Sequence, residues 1–441
     1  MANIQAGFAR LDMTPPLGVC MNGYFFERRG EGVLDPLYLN AAAFKDDEKL
    51  AVVMVCDLEG IASVTMNRWV PEIAEKVGIP REALFISCTH THTGPHLPGS
   101  IHPSDPQYDQ WLFRRMCDAA TMAMRDCRPV KEILAYEGDC RGVTYVRRFK
   151  MKDGHYQTWG ERGDPDVVAY ASEGDESLRF VRIQREDADE IVIVNFQTHP
   201  DNITGTYYSA DFPGFLRNKV EAEKPGTKCL FFNGAEGQMI AYDYWHDVTV
   251  TPKGTPRYEN AKAIGRVLAE YVLRHFDEAA PVEGEGVSFG QELLSCKTKR
   301  DPSRLAEAER IIDIHENGDE LRDIGPDWVA TPKVAESYTL RRLEQNKLDC
   351  IDIMVSAVAV GGLAFLGIAG EPFCELGKEI REKSPYPMTM VCCKTNGSEG
   401  YYPTAEAYDQ GGYEPAGTRF PKGIGEHLVE ESIALLKKIY S

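Results

Sequence analysis

Ala83-Leu84-Phe85-Ile86-Ser87-Cys88-Thr89-His90-Thr91-His92-Thr93-Gly94-Pro95 passes from a short apolar run into a polar turn carrying two imidazoles. The apolar run reads as a buried strand, and a strand end is a rigid support on which an enzyme can hold a metal ion. Zinc suits imidazole nitrogen and carboxylate oxygen, and it keeps one coordination position open when the site is catalytic. The remaining ligands must then come from elsewhere in the chain. Were the strand to continue, His90 and His92 would face one side; in a turn, one reaches the ion while the other binds substrate or orients water. Alone, the pair is weak evidence, because structural hydrogen bonding also accounts for it.

Working outward, Leu50 to Asp57 is apolar up to its carboxylate and reads as a strand delivering Asp57 at its end. A helix over about 61–77 followed by the strand 83–88 completes a strand, helix, strand unit. Asp105-Pro106 starts a second helix running to about Arg125, with Trp111, Leu112, Met116 and Ala119 on its inner face. Strands are expected at 133–136, 178–184, 191–196 and 229–232, and another begins near Val287. Helices are expected at 210–220, 260–275, 303–315, 332–346 and 423–437. Two apolar runs between Ile351 and Ile368, parted by Gly361-Gly362, read as a strand pair with a tight turn, and 388–393 as a further strand. No repeat or low-complexity linker divides the chain. The expected fold class is mixed α/β (α+β), one large catalytic domain over 1–441 with mixed sheets, flanking helices and loops that carry the site.

The 441 residues are 43% hydrophobic and 27% charged, which excludes a disordered chain or a coiled coil. A net charge of -19 repels nucleic acid and anionic membrane surfaces. The acidic runs 173–176, 186–190 and 316–320 read as solvated faces. The amino end shows no basic region followed by an apolar core, and no run approaches the roughly 20 apolar residues that cross a bilayer. Twelve cysteines without a Cys-x-x-Cys pair fit reduced, buried thiols in a cytoplasmic protein. The expected partner is a small-molecule substrate, with no nucleic acid and no stable membrane insertion; a homo-oligomer is left open.

His199 follows the run ending at Phe196 and precedes Pro200, a fixed polar position at a second strand end. Glu371 arrives after Phe365-Leu366-Gly367-Ile368-Ala369-Gly370, where it supplies a ligand or caps the helix after Pro372. Tyr401 follows another glycine turn and is a fourth donor, through oxygen, or a half-buried aromatic. Together these positions offer two nitrogens and two oxygens to one ion.

The chain resembles the amino-terminal catalytic domain of the neutral, non-lysosomal ceramidases, a family of zinc-dependent amidases. The segments that carry the resemblance run in order along it: Ala6-Gly7 through Asp12-Met13-Thr14-Pro15-Pro16, Asp57-Leu58, Thr89 through Pro95, Asn195 through Pro200, Ser209 through Gly214, Gly370 through Phe373, and Gly400-Tyr401 through Tyr413-Glu414. The resemblance implies Zn2+ held by His90, His199, Glu371 and Tyr401, with His92 beside it and Arg147 lining the pocket. Tyr402 and Arg148 stand as alternatives to their neighbours Tyr401 and Arg147. It also places Ile240 where ceramidases carry a serine, and an aliphatic side chain can neither attack a carbonyl nor donate a hydrogen bond. With the chain ending at Ser441, no additional carboxy-terminal β domain is expected.

The expected activity is hydrolysis of an amide-like C–N bond by metal-activated water, on a small polar metabolite rather than ceramide. His92, Arg147 and Tyr401 are the expected catalytic side chains: His92 as proton carrier, Arg147 holding a carboxylate or oxyanion. Asp57 and Asp211 are expected to orient the ligand histidines. Two alternatives remain, a zinc-dependent esterase or lactonase and a degenerate metal-binding scaffold without catalysis.

Overall fold

In the computed structural model, residues 4–99, 102–317 and 323–440 are described. Positions 1–3, read for a leader, and 318–320 of the acidic run 316–320 lie outside them. Helix and strand occur in nearly equal shares, 34% and 30%, and the architecture is mixed α+β.

The largest sheet has nine strands, and its main path runs Thr227–Asn233, Glu190–Phe196, Ser177–Arg185, Arg128–Asp139, Gln5–Asp12, Tyr38–Lys45, Leu50–Cys56, Leu84–Cys88. The middle of the path is antiparallel, while the pair at each end is parallel. A second sheet orders Val287–Lys297, Cys350–Val360, Leu363–Ile368 and Met388–Cys392, its last pair also parallel. Parallel pairs need crossover connections, and the helices Ser63–Val77, Asp211–Glu223 and Cys374–Lys383 supply them.

The large sheet curves so that its two terminal strands meet across the second sheet. Phe85, Phe232 and Phe365, one from each meeting strand, pack with ring centroids 5.6 to 6.3 Å apart. The loop after Cys392 locks the three together: Ser87 Oγ donates to the Cys393 carbonyl, the Cys393 amide to the Asn233 carbonyl, and the Asn396 amide to the Ile86 carbonyl. Strands buried on both faces read as continuous apolar runs. Accordingly, Ala51 through Cys56 and Leu84 through Ile86 are buried without alternation.

Two readings of local structure need correction. The helix Pro106–Arg125 is capped by the Asp105 side chain as expected, but Trp111 is exposed and Tyr108 takes the inner position above Leu112, its hydroxyl donating to the Met13 carbonyl. The helical stripe through Leu112, Met116 and Ala119 extends back to Tyr108 four residues earlier, which leaves Trp111 on the flank. The helix expected over 332–346 spans Asp327–Gln345 with Pro332 inside it. The helix runs on through Pro332, its sixth residue, although the ring leaves the Trp328 carbonyl without the amide four residues later.

Candidate metal centre

Five parallel strands of the two sheets end at one place, and each hands a polar side chain to it. Leu84–Cys88 leads to His90, Glu190–Phe196 to His199, Thr227–Asn233 to Glu236, Leu363–Ile368 to Glu371, and Met388–Cys392 to Lys394. Ligands in α/β sheets collect at such carboxyl ends because the loops there converge while the strands hold them rigid. His90 sits in the left-handed region at φ 73°, so the chain turns sharply instead of continuing the strand. Its amide donates to the Leu58 carbonyl and that of His92 to the Pro200 carbonyl. Both imidazoles thereby reach the same space, with Nε2 to Nε2 at 3.4 Å.

The His90, His199 and Glu371 side chains meet. Glu371 Oε2 is 3.6 Å from His90 Nε2 and 3.4 Å from His199 Nε2. His90 Nδ1 faces the Glu59 carbonyl at 2.7 Å and His199 Nδ1 the Met239 carbonyl at 2.9 Å. A carbonyl only accepts, so each Nδ1 carries the proton and each Nε2 turns a lone pair inward. Burial lowers the pKa of both imidazoles, that of His199 to about 3 with help from the Arg147 charge, which keeps them neutral. His199 Nε2 and Glu371 Oε2 are fully buried without a hydrogen bond. Unpartnered buried donors and acceptors are costly, and a set of bare nitrogen and oxygen atoms at these separations fits a metal ion.

Glu236, absent from the candidates read in the sequence, belongs to the same group. The ligand atoms of His90, His199, Glu236 and Glu371 all lie within 4.8 Å of one another, and His92 forms a second such group with His90 and His199. The turn Gly234-Ala235-Glu236-Gly237 presses against the Glu371 segment: the Gly237 amide donates to the Pro372 carbonyl, and a Cβ on Gly237 would lie 2.7 Å from the Glu371 carbonyl oxygen. Burial, reinforced by the Glu371 charge, pushes the Glu236 carboxyl well above its usual range. Burial acts on Glu371 in the same direction, but the Lys394 charge leads the groups that oppose it and hold that carboxyl well below. Lys394 Nζ is 2.7 Å from Glu371 Oε1, 3.0 Å from Glu59 Oε1 and 2.9 Å from Ser398 Oγ.

Arg147 and Tyr401 stand together beside the group. Arg147 donates through Nη2 to the Tyr401 hydroxyl at 3.2 Å and the Gly237 carbonyl at 3.0 Å, and through Nε to Glu414 at 2.8 Å. Its guanidinium lies against the rings of Trp159 and Tyr401, and Tyr413 packs on both rings. Burial pushes the Tyr401 phenol up, so it keeps its proton. Tyr402 faces away, as alternate residues of a strand do, and donates to the Ala369 carbonyl inside the core. Arg148 likewise turns to the Gly411 and Ala407 carbonyls. The geometry thus separates both ambiguous pairs: Tyr401 and Arg147 adjoin the group.

Asp57 and Asp211 do not orient the histidines. Asp57 takes two bonds from Arg217, at 2.8 and 2.6 Å, and one from the Tyr38 amide, while Asp211 accepts from the Asn202 and Ile203 amides. Backbone carbonyls hold the imidazoles instead. Ile240 pairs with Tyr145 and bridges to the His199 backbone, an apolar side chain at the edge of the group.

A surface cleft of about 520 Å³ lies elsewhere, lined by Glu137, Asp139, Asp175, Lys378 and Arg381. Its Asp175 is already bonded to Arg381 and Ser177, so it offers none of the bare donors found at the strand ends.

No family model and no curated protein matches the sequence. The fold does have solved counterparts. Neutral ceramidase from Pseudomonas aeruginosa superposes with a TM-score of 0.72 at 15% identity, covering 100% of this chain and 76% of that one. The chain has the neutral ceramidase fold. A ceramidase complexed with C2 gives 0.71 at 15% identity, over 99% of this chain and 75% of its own. The ceramidase fold therefore spans the whole chain, in line with the ordered segments read from the sequence.

Proposed function

We propose that the protein is a metal-dependent hydrolase that cleaves an amide-like C–N bond in a small polar substrate, with Zn2+ as the ion. What carries the reading is the convergence of His90 Nε2 and His199 Nε2 on Glu371 Oε2, at 3.6 and 3.4 Å, with His199 Nε2 and Glu371 Oε2 buried without a hydrogen bond. These residues would hold the ion. When bound, it would polarise a carbonyl and lower the pKa of water from 15.7 toward about 7. The amide specificity is supported by the fold, since the two similar structures bear the name ceramidase.

The chain's own groups divide the remaining work. His92 projects Nε2 toward the ligand atoms while its Nδ1 lies 3.7 Å from Asp201 Oδ1, so it can accept a proton at Nε2 and pass it to the leaving nitrogen. Tyr24 donates to the same Asp201 and sets its ring edge-on to His92, fixing the imidazole's position. Tyr401 offers its retained proton to a developing oxyanion, and Arg147 fixes that phenol from behind.

Metal analysis of the purified protein, followed by assay of His199→Ala on a panel of amides, tests the reading. Bound Zn2+ and an inactive variant are expected; metal-free wild type, or unchanged activity in the variant, overturns it. A second reading keeps the ion and replaces the amide with an ester or lactone. Ile240 favours it, because an aliphatic side chain at the edge of the group offers nothing to an amide leaving group. Esters in the same panel separate the two.

A further inference from the structure

We propose that Glu236 is a direct protein ligand of the ion, so that two imidazoles and two carboxylates form the coordinating set. This rests on the metal-centre reading above and adds a residue to it. Glu236 is completely buried; neither oxygen has a hydrogen-bond partner of ordinary geometry, and the Cys393 thiol and the residue's own amide are its polar neighbours. Its Oε1 lies 3.8 Å from His90 Nε2. A carboxylate is not left in this condition unless something positive meets it.

The groups nearby narrow what can meet it. Each imidazole gives its Nδ1 proton to a carbonyl and can turn Nε2 inward as an acceptor. Lys394 is the ammonium at the site, and it is committed to Glu371 Oε1, Glu59 Oε1 and Ser398. Three carboxylates, those of Glu59, Glu236 and Glu371, thus share this one ammonium, and Glu236 is the one it does not bond. Gly237 fixes the arrangement, since only a residue without a Cβ lets this turn approach the Glu371 carbonyl closely enough to bring Glu236 in. Two carboxylates also make the site harder than one with a single carboxylate and a phenol, so it would accept Mn2+ and Co2+ readily alongside Zn2+.

The competing account is a protonated Glu236 that merely sits beside the ion. Glutamine has the shape of that protonated form, so E236Q separates the two. The full chain is stripped of metal, then titrated with Zn2+ against a competing chelator and, separately, loaded with Co2+ to record its visible spectrum. For a direct ligand, E236Q lowers Zn2+ affinity more than about 100-fold, beyond the 10–100-fold that outer partners of metal ligands carry, and changes the Co2+ spectrum. Metal-free E236Q is expected to fold and to melt above metal-free wild type, the order reversing once the ion is added. An affinity loss smaller than about 100-fold with an unchanged Co2+ spectrum overturns the proposal, as does an E236Q chain that fails to fold. Wild type that takes up no metal instead defeats the metal-centre reading itself, so the two failures are distinct.

Discussion

Asp57 with Arg217 and Glu236 with Glu371 are both buried charge clusters at strand ends, and their bonding is opposite. Every oxygen of Asp57 is met, by two guanidinium nitrogens and the Tyr38 amide, and Arg217 is equally enclosed. In the second cluster Glu236, Glu371 Oε2 and His199 Nε2 are left bare. A saturated pair holds sheet and helix in register, and nothing further can bind to it. A cluster with orphaned atoms costs stability and leaves those atoms open to a ligand.

The largest effect should come from the second cluster. His199→Ala is expected to reduce metal retention more than about 100-fold and to abolish turnover, while the variant melts close to chelator-treated wild type; metal analysis and calorimetry check both. Next, Asp57→Ala should cost about 3–5 kcal/mol by leaving Arg217 buried and alone, measured by urea unfolding, with activity per folded molecule unchanged. Removing the ion from wild type should lower stability by about 2.7 kcal/mol relative to protein held at a hundredfold excess over the dissociation constant. Asp57→Ala and wild type should show the same metal dependence, since the saturated pair takes no part in binding.

The smallest effect lies outside both clusters. His96 is fully buried, its Nε2 accepts from the His102 amide, and burial followed by the His102 charge lowers its pKa to about 4. In the unfolded chain its pKa is about 6.5. Between those values the unfolded state binds the proton and the folded state does not, so stability present above pH 6.5 is lost as pH falls toward 4. The slope from this residue is at most about 1.4 kcal/mol per pH unit. Urea midpoints at pH 7 and pH 5 should therefore lie closer together in His96→Gln than in wild type.

Which parts of this were legible in the sequence follows from the same contrast. His90, His199 and Glu371 each stand just after an apolar run, so the strand announces the side chain that it delivers. Glu236 also follows a strand, but Asn233-Gly234-Ala235-Glu236-Gly237 looks like any solvated turn, and only the close packing of Gly237 on the Glu371 carbonyl buries it. Asp57 was read as an orienting group because a strand-end carboxylate looks the same whether its partner is an imidazole or a guanidinium; Arg217 comes from a helix 160 residues later. Trp111 was assigned inward on hydrophobicity although the helical stripe favoured Tyr108. Tyr401 and Tyr402 were inseparable until strand pairing with Glu371 and Pro372 fixed which of them faces Arg147.

The convergence of five strand ends also sets a timetable. A growing chain released as far as residue 360 owns both imidazoles and Glu236, yet lacks Glu371, Lys394 and the loop that ties the sheet's edges together. Contacts so distant along the chain form late, after shorter loops have closed. On the metal-centre reading proposed above, an ion would act as a seal on the finished molecule, and its capture by refolding protein would mark the moment when the last segment docks.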